Sequence, residues 1–237
     1  MKEEITASLK QASIKQVNQN ITGGFMNIKH SKLHNPTQFI NFAHYHIGSK
    51  ALGPGNRAIL WVQGCDRNCD SCISPEWKKR VTANLIEPQA LAKLLLKDES
   101  ITGITISGGE PMLQASQLKV FIEACRKIRD VDIICYTGYT IEEIKADDLH
   151  PERAQLLELI DLLIDGPYLT EKDDLLGLRG SSNQNIILLS DRLKSYDFNN
   201  SKRTVEMRPI DNNEILMIGI PTPAIQACFS KVAQIRS

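Results

Sequence analysis

The sequence predicts an α/β fold built from repeated strand–loop–helix units, and three observations predict it. From Ala58 onward, short apolar runs alternate with amphipathic stretches of helical period. The runs end in turn residues, as in Ser107, Gly108, Gly109 and again in Asp165, Gly166, Pro167. At 237 residues the chain is also long enough to bury one sizeable core. Strands that alternate with helices imply parallel pairing, and parallel sheets collect ligands where the loops leave the carboxyl ends of the strands.

Taken in order, residues 1–38 are polar and rich in Asn, Gln, Ser and Lys, with weak periodicity at Ile14, Val17 and Ile21. They read as an N-terminal extension to a domain over 39–237 whose core spans 53–190. Residues 39–47 alternate as a strand does, and 48–56, with Gly53, Pro54 and Gly55, form a tight loop. Strands are expected over 58–63, 103–107, 132–136, 160–165 and 185–189. Helices are expected over 88–97 and 115–128, with a third over 140–159 that breaks near Pro151 because proline removes a donor and clashes with the preceding turn. Runs at 203–207 and 214–218 flank Asp211, Asn212 and Asn213 and predict a C-terminal β-hairpin.

Composition narrows the classes of function. Lys plus Arg equal Asp plus Glu at 28 each, so no net field draws the whole chain to nucleic acid or to an anionic membrane. Residues 1–20 lack the apolar centre of a secretory signal, and no later run approaches the length of a membrane span. A cytoplasmic protein is expected. Six cysteines, three of them between positions 65 and 72, do not resemble the spaced framework of a small disulfide-bonded fold.

Those three, Cys65, Cys69 and Cys72, follow the first core strand on one short loop and can converge on one metal centre. A structural zinc site wants four ligands, so a zinc reading needs a remote histidine or cysteine to complete it. An iron–sulfur cluster held by three thiolates instead leaves one iron open to a ligand, which is a catalytic arrangement. Cys125, Cys135 and Cys228 read as small hydrophobes, and His30, His34, His44 and His46 as solvated residues of polar segments. After the second core strand, Gly108 and Gly109 free the backbone for close approach, and the Glu110 carboxylate can receive an ammonium group. A turn that starts a helix would use the same residues.

The stretch GPGNRAILWVQGCDRNCDSCISPEW resembles the cluster loop of radical S-adenosylmethionine enzymes, and among them the short activating enzymes of glycyl radical proteins. The likeness continues in order through Gly108–Pro111, Tyr136–Tyr139, Asp165–Pro167 and Arg179–Gln184. It implies a partial (βα)6 barrel and a [4Fe-4S] cluster on Cys65, Cys69 and Cys72. It also implies that S-adenosyl-L-methionine lies against Ser71 and Ile73, with its amino group at Gly108, Gly109 and Glu110 and its adenosyl part near Thr137 and Gly138. Asp165 and Arg179 would shape the mouth, and a salt-bridged structural role is the equal alternative for Arg179. The implied activity is reductive cleavage of S-adenosylmethionine to a 5'-deoxyadenosyl radical, with flavodoxin or ferredoxin as electron donor. The implied partner is a glycyl radical enzyme such as anaerobic ribonucleotide reductase. A radical enzyme acting on a peptide or small molecule, or a non-catalytic zinc or iron–sulfur interaction module, are the alternatives. The sequence departs from the likeness at its long N-terminal segment, at Arg67 and over 205–237.

Overall fold

In a computed structural model of the chain, which describes residues 38–198, 201–209, 215–222, 224–225 and 228, the apolar runs fall into one mixed sheet. The expected extension over 1–38 lies outside the described residues except for residue 38, and so do His30 and His34. The elements are β1 (Ile40–Ser49), β2 (Arg57–Val62), β3 (Asn84–Ile86), α1 (Pro88–Leu95), β4 (Gly103–Gly108), α2 (Ala115–Ile128), β5 (Asp132–Tyr136), α3 (Ile141–Lys145), α4 (Pro151–Leu157), β6 (Leu162–Asp165), β7 (Asn185–Leu188), β8 (Val205–Pro209) and β9 (Ile215–Gly219). Seven strands pair in the order β3-β1-β2-β4-β5-β6-β7, and β8 and β9 form a separate antiparallel pair.

The central strands β2, β4, β5 and β6 run parallel, as the strand–helix alternation predicts. The edges differ. β1 pairs antiparallel with β2 and with β3, and β7 pairs antiparallel with β6. For β7 this corrects the parallel repeat read from the sequence. Between Asp165 and Asn185 the chain makes only the short 3-10 turn Thr170–Lys172, with no crossover helix to carry it back to the start of the sheet. Without a crossover the next strand returns antiparallel.

The whole of β2 is buried because both of its faces are covered, which is why its sequence after Arg57 is a continuous apolar run. On one face Ala58, Leu60 and Val62 join Ile104, Ile106, Ile133 and Leu163 against α1 (Leu91, Leu95), α2 (Leu118, Phe121, Ile122) and α4 (Leu156, Leu157). On the other, Ile59 and Trp61 meet Leu216, Ile218 and Ile220 of the C-terminal segment, while Ile134, Leu162 and Ile164 meet Leu193 and Phe198. Cys125 and Cys135 are buried within the first of these clusters. At the amino ends of the parallel strands the fully buried Arg57 donates to Thr105 Oγ1 at 2.7 Å and to the Ile104 carbonyl at 2.8 Å. Its Nη1 lies 2.6 Å from Asp132 Oδ1 as an ion pair, outside hydrogen-bond geometry.

Candidate functional site

The opposite, carboxyl ends of β2, β4, β5 and β6 open onto a cavity of about 170 Å³. Its lining includes Cys65, Cys69 and Cys72 from the loop after β2, Gly108, Gly109 and Glu110 after β4, and Thr137 and Gly138 after β5. Ile73 also lines it, whereas Ser71 is exposed and does not. Asp165 and Arg179 are not brought to the cavity either, although their neighbours Gly166 and Gly180 are. Asp165 is fully buried and accepts from the Ile141 N–H at 2.7 Å and from the Asn185 side chain at 2.9 Å, so it ties β6 to α3 and β7. Arg179 pairs with Asp174 at 2.7 Å.

The cysteine loop closes on itself at its root. Gly64 N–H donates to the Trp77 carbonyl at 2.9 Å, Cys65 N–H to that of Lys78 at 3.0 Å, and the Gln63 amide to that of Lys79 at 2.7 Å. Gly64 has φ of +95°, a conformation that favours glycine. Arg67, between the first two cysteines, lies 4.5 Å above the Tyr139 ring, and Arg153 lies 4.7 Å from the same ring. The Tyr139 hydroxyl donates to Asp66, and Arg67 reaches Glu143 at 3.3 Å. Two cations against one ring, together with a charged pair at the rim, hold this loop to the β5–α3 connection.

Gly108 and Gly109 line the cavity and also make a close backbone contact. A Cβ on Gly108 would lie 2.4 Å from the Val62 nitrogen, and one on Gly109 would lie 2.2 Å from the Gly64 oxygen. The backbones are joined here by Gly109 N–H to the Val62 carbonyl at 2.7 Å and Glu110 N–H to that of Gly64 at 2.8 Å. The close approach is therefore to the root of the cysteine loop. Glu110 extends the tie: its carboxylate accepts from Met112 N–H at 2.9 Å, the Thr137 hydroxyl at 2.7 Å and Gly138 N–H at 2.8 Å. Burial pushes this carboxyl up to about 7 even though those donors pull it down.

Burial also pushes the Cys65 thiol up to about 11 and raises that of Cys72, so metal must displace protons to bind these thiols. Among the described residues no group of three or more His, Cys, Asp or Glu side chains is gathered as the shell of a single metal ion. Three thiols of intermediate exposure line one cavity, and the soft irons of an iron–sulfur cluster take thiolate ligands. Sequence reasoning missed Leu52, Trp61, Lys78, Tyr136, Tyr168 and Ile220, all of which line the same cavity. Trp61 and Tyr136 carried a signal, as large aromatics at or near the ends of strands that lead into the motifs.

The 4Fe-4S single cluster domain family matches residues 51–187. The chain is 34% identical over 154 residues to the anaerobic ribonucleoside-triphosphate reductase-activating protein of Pasteurella multocida, covering 61% of this chain and 95% of that one. The protein of the same name from Escherichia coli is 32% identical over 156 residues, 61% of this chain and 96% of its own, and that from Enterobacteria phage T4 is 31% identical over 155 residues, 61% and 92%. With its cysteine loop, strand-end motifs and near-complete coverage of these relatives, the chain belongs to the 4Fe-4S single cluster family of the anaerobic ribonucleoside-triphosphate reductase-activating proteins.

Proposed function

We propose that the protein is a radical S-adenosylmethionine enzyme that installs a glycyl radical on a partner such as an anaerobic ribonucleotide reductase. The observation that carries this reading is the convergence of three thiols, the Gly108–Glu110 turn and the Thr137–Gly138 turn on one cavity at the carboxyl ends of the parallel strands. When bound, the cluster supplies the electron, drawn from a flavodoxin or ferredoxin, that splits S-adenosylmethionine into methionine and a 5'-deoxyadenosyl radical able to take a hydrogen atom from a glycine Cα. Cys65, Cys69 and Cys72 hold the cluster. The backbone and carboxyl at Gly108, Gly109 and Glu110 hold the methionine end of the cofactor, and Thr137 and Gly138 stand beside the adenosyl end. Leu52, Trp61 and Ile73 exclude water. Lys78 donates to the Cys69 carbonyl at 3.4 Å and keeps a positive charge beside the thiolates.

The sheet, in this reading, curls as a partial barrel around the cavity. Thiols that must stay reduced suit the cytoplasm, and no helix among the described residues is long and apolar enough to cross a membrane. The test is anaerobic reconstitution followed by dithionite and S-adenosylmethionine, with 5'-deoxyadenosine as the product measured. Cys69→Ala should abolish it, and the same mixture with a partner reductase should give a glycyl radical signal by electron paramagnetic resonance. Undiminished product from the variant would refute the cluster assignment, and product without a partner radical would redirect the chemistry to another substrate.

A further inference from the structure

The family match ends at residue 187, yet the cavity wall continues beyond it. Gly219 and Ile220, at the end of β9, line the cavity opposite the strand-end loops. Ile220 is 8% exposed and packs with Leu216 and Ile218 against Ala51, Leu52, Ile59 and Trp61. The position is built, not incidental. Gly219 has φ of +121°, and a Cβ there would lie 2.4 Å from the Thr204 oxygen, so the strand pair fits only with backbone at this point.

A second anchor acts just before β8. The Arg203 side chain, 4% exposed, pairs with Asp173 at 2.8 Å and donates to the carbonyls of Arg179 at 2.7 Å and Gly180 at 3.0 Å. Gly180 is itself a lining residue, so this segment fixes a second wall of the cavity. At the far edge Glu206 accepts from Lys50 N–H at 2.8 Å, closing the strand pair onto the loop after β1. The lining includes polar Glu110, Thr137, Lys78 and Gln184 and apolar Leu52, Trp61, Ile73 and Ile220. The C-terminal strands pack over Ile59 and Trp61.

We propose that the β8–β9 pair is part of the cofactor site, with Ile220 forming the apolar wall that closes S-adenosylmethionine off from water. This rests on the function proposed above. The full-length protein with its cluster reconstituted should bind S-adenosylmethionine by titration calorimetry, and Ile220→Ala should weaken that binding about tenfold, since several buried methyl groups lose their contact. Ile220→Val, which keeps most of the wall, should stay within about twofold. Leu216→Ala removes a packing residue of the same strand that does not line the cavity, so it should lower the melting temperature while leaving affinity within about twofold. The chain has two tryptophans, Trp61 and Trp77, with ring centroids 5.6 Å apart in this cluster. Their quenching by acrylamide should fall when S-adenosylmethionine binds the native protein, and much less in Ile220→Ala. Native affinity in Ile220→Ala, or an equal loss in Leu216→Ala, would overturn the assignment. Failure of the native, cluster-loaded protein to bind S-adenosylmethionine would instead overturn the functional reading on which it rests.

Discussion

Replacing Gly109 with alanine tests whether the Gly108–Gly109 turn is built for the cysteine loop. The new methyl group would sit 2.2 Å from the Gly64 oxygen and 2.8 Å and 2.9 Å from that residue's carbonyl carbon and nitrogen. All three are backbone atoms, so no rotamer change relieves the overlap, and the two segments must part by about 1 Å to reach ordinary contact. That movement stretches Gly109 N–H to Val62 and Glu110 N–H to Gly64, now 2.7 Å and 2.8 Å. Overpacking at about 1–3 kcal/mol and two weakened hydrogen bonds at about 1 kcal/mol each give a loss of roughly 3–5 kcal/mol. Because Gly64 is the root of the cysteine loop, the variant should also retain well under half of its iron after anaerobic reconstitution. Urea unfolding and iron analysis give the answer. A Gly109→Ala protein within about 1 kcal/mol of native and fully loaded with iron would refute the role assigned to this crossing.

Three further outcomes follow from other contacts. Asp132→Ala should cost about 3 kcal/mol in urea unfolding, because Arg57 stays buried and charged without its counterion, although Thr105 and the Ile104 carbonyl still hold it; a loss under about 1 kcal/mol would show that those neutral acceptors suffice. Glu110 is raised to about 7 when folded, so it holds its proton where the unfolded chain has lost it, and the stability it contributes is fully present below pH 4.5 and lost as pH rises through 7. The stability difference between the native protein and Glu110→Gln should therefore shrink by about 3 kcal/mol between those limits in urea titrations, and a flat difference would contradict the buried titration. Arg67→Ala should change global stability by less than about 1 kcal/mol, since its pair with Glu143 is part-exposed, yet loosen the cysteine loop, leaving the Asp66 hydrogen bond as its hold on Tyr139; iron retention at the native level would show that the cation–ring contact does not order that loop.

What the sequence revealed depended on how strongly each signal was tied to local physics. The ends of α2 and β5 fall where the pattern puts them, because α2 has a clear apolar stripe at Leu118, Phe121, Ile122 and Cys125, and β5 carries an unbroken apolar centre. β3 is three residues long, too short for any period, and exists because Leu85 and Ile86 pair with the start of β1. The direction of β7 is not written in its own residues. It is set by the connection before it, where the absence of a helical period over 166–184 was the available sign.

The site divides along the same line. Cysteine spacing shows directly which thiols can share one centre, since three ligands on a short loop are local by construction of the chain. Glycines and carboxylates are not so readable, because Gly–Gly–Glu tells only that the backbone must come close to something. Here that partner is Gly64, and Glu110 spends three hydrogen bonds tying Met112, Thr137 and Gly138 together. Such an arrangement links the loops after β2, β4 and β5 into one unit, so a ligand that pulls on any of them is resisted by all three. Rigidity of that kind keeps the groups that line the cavity in register.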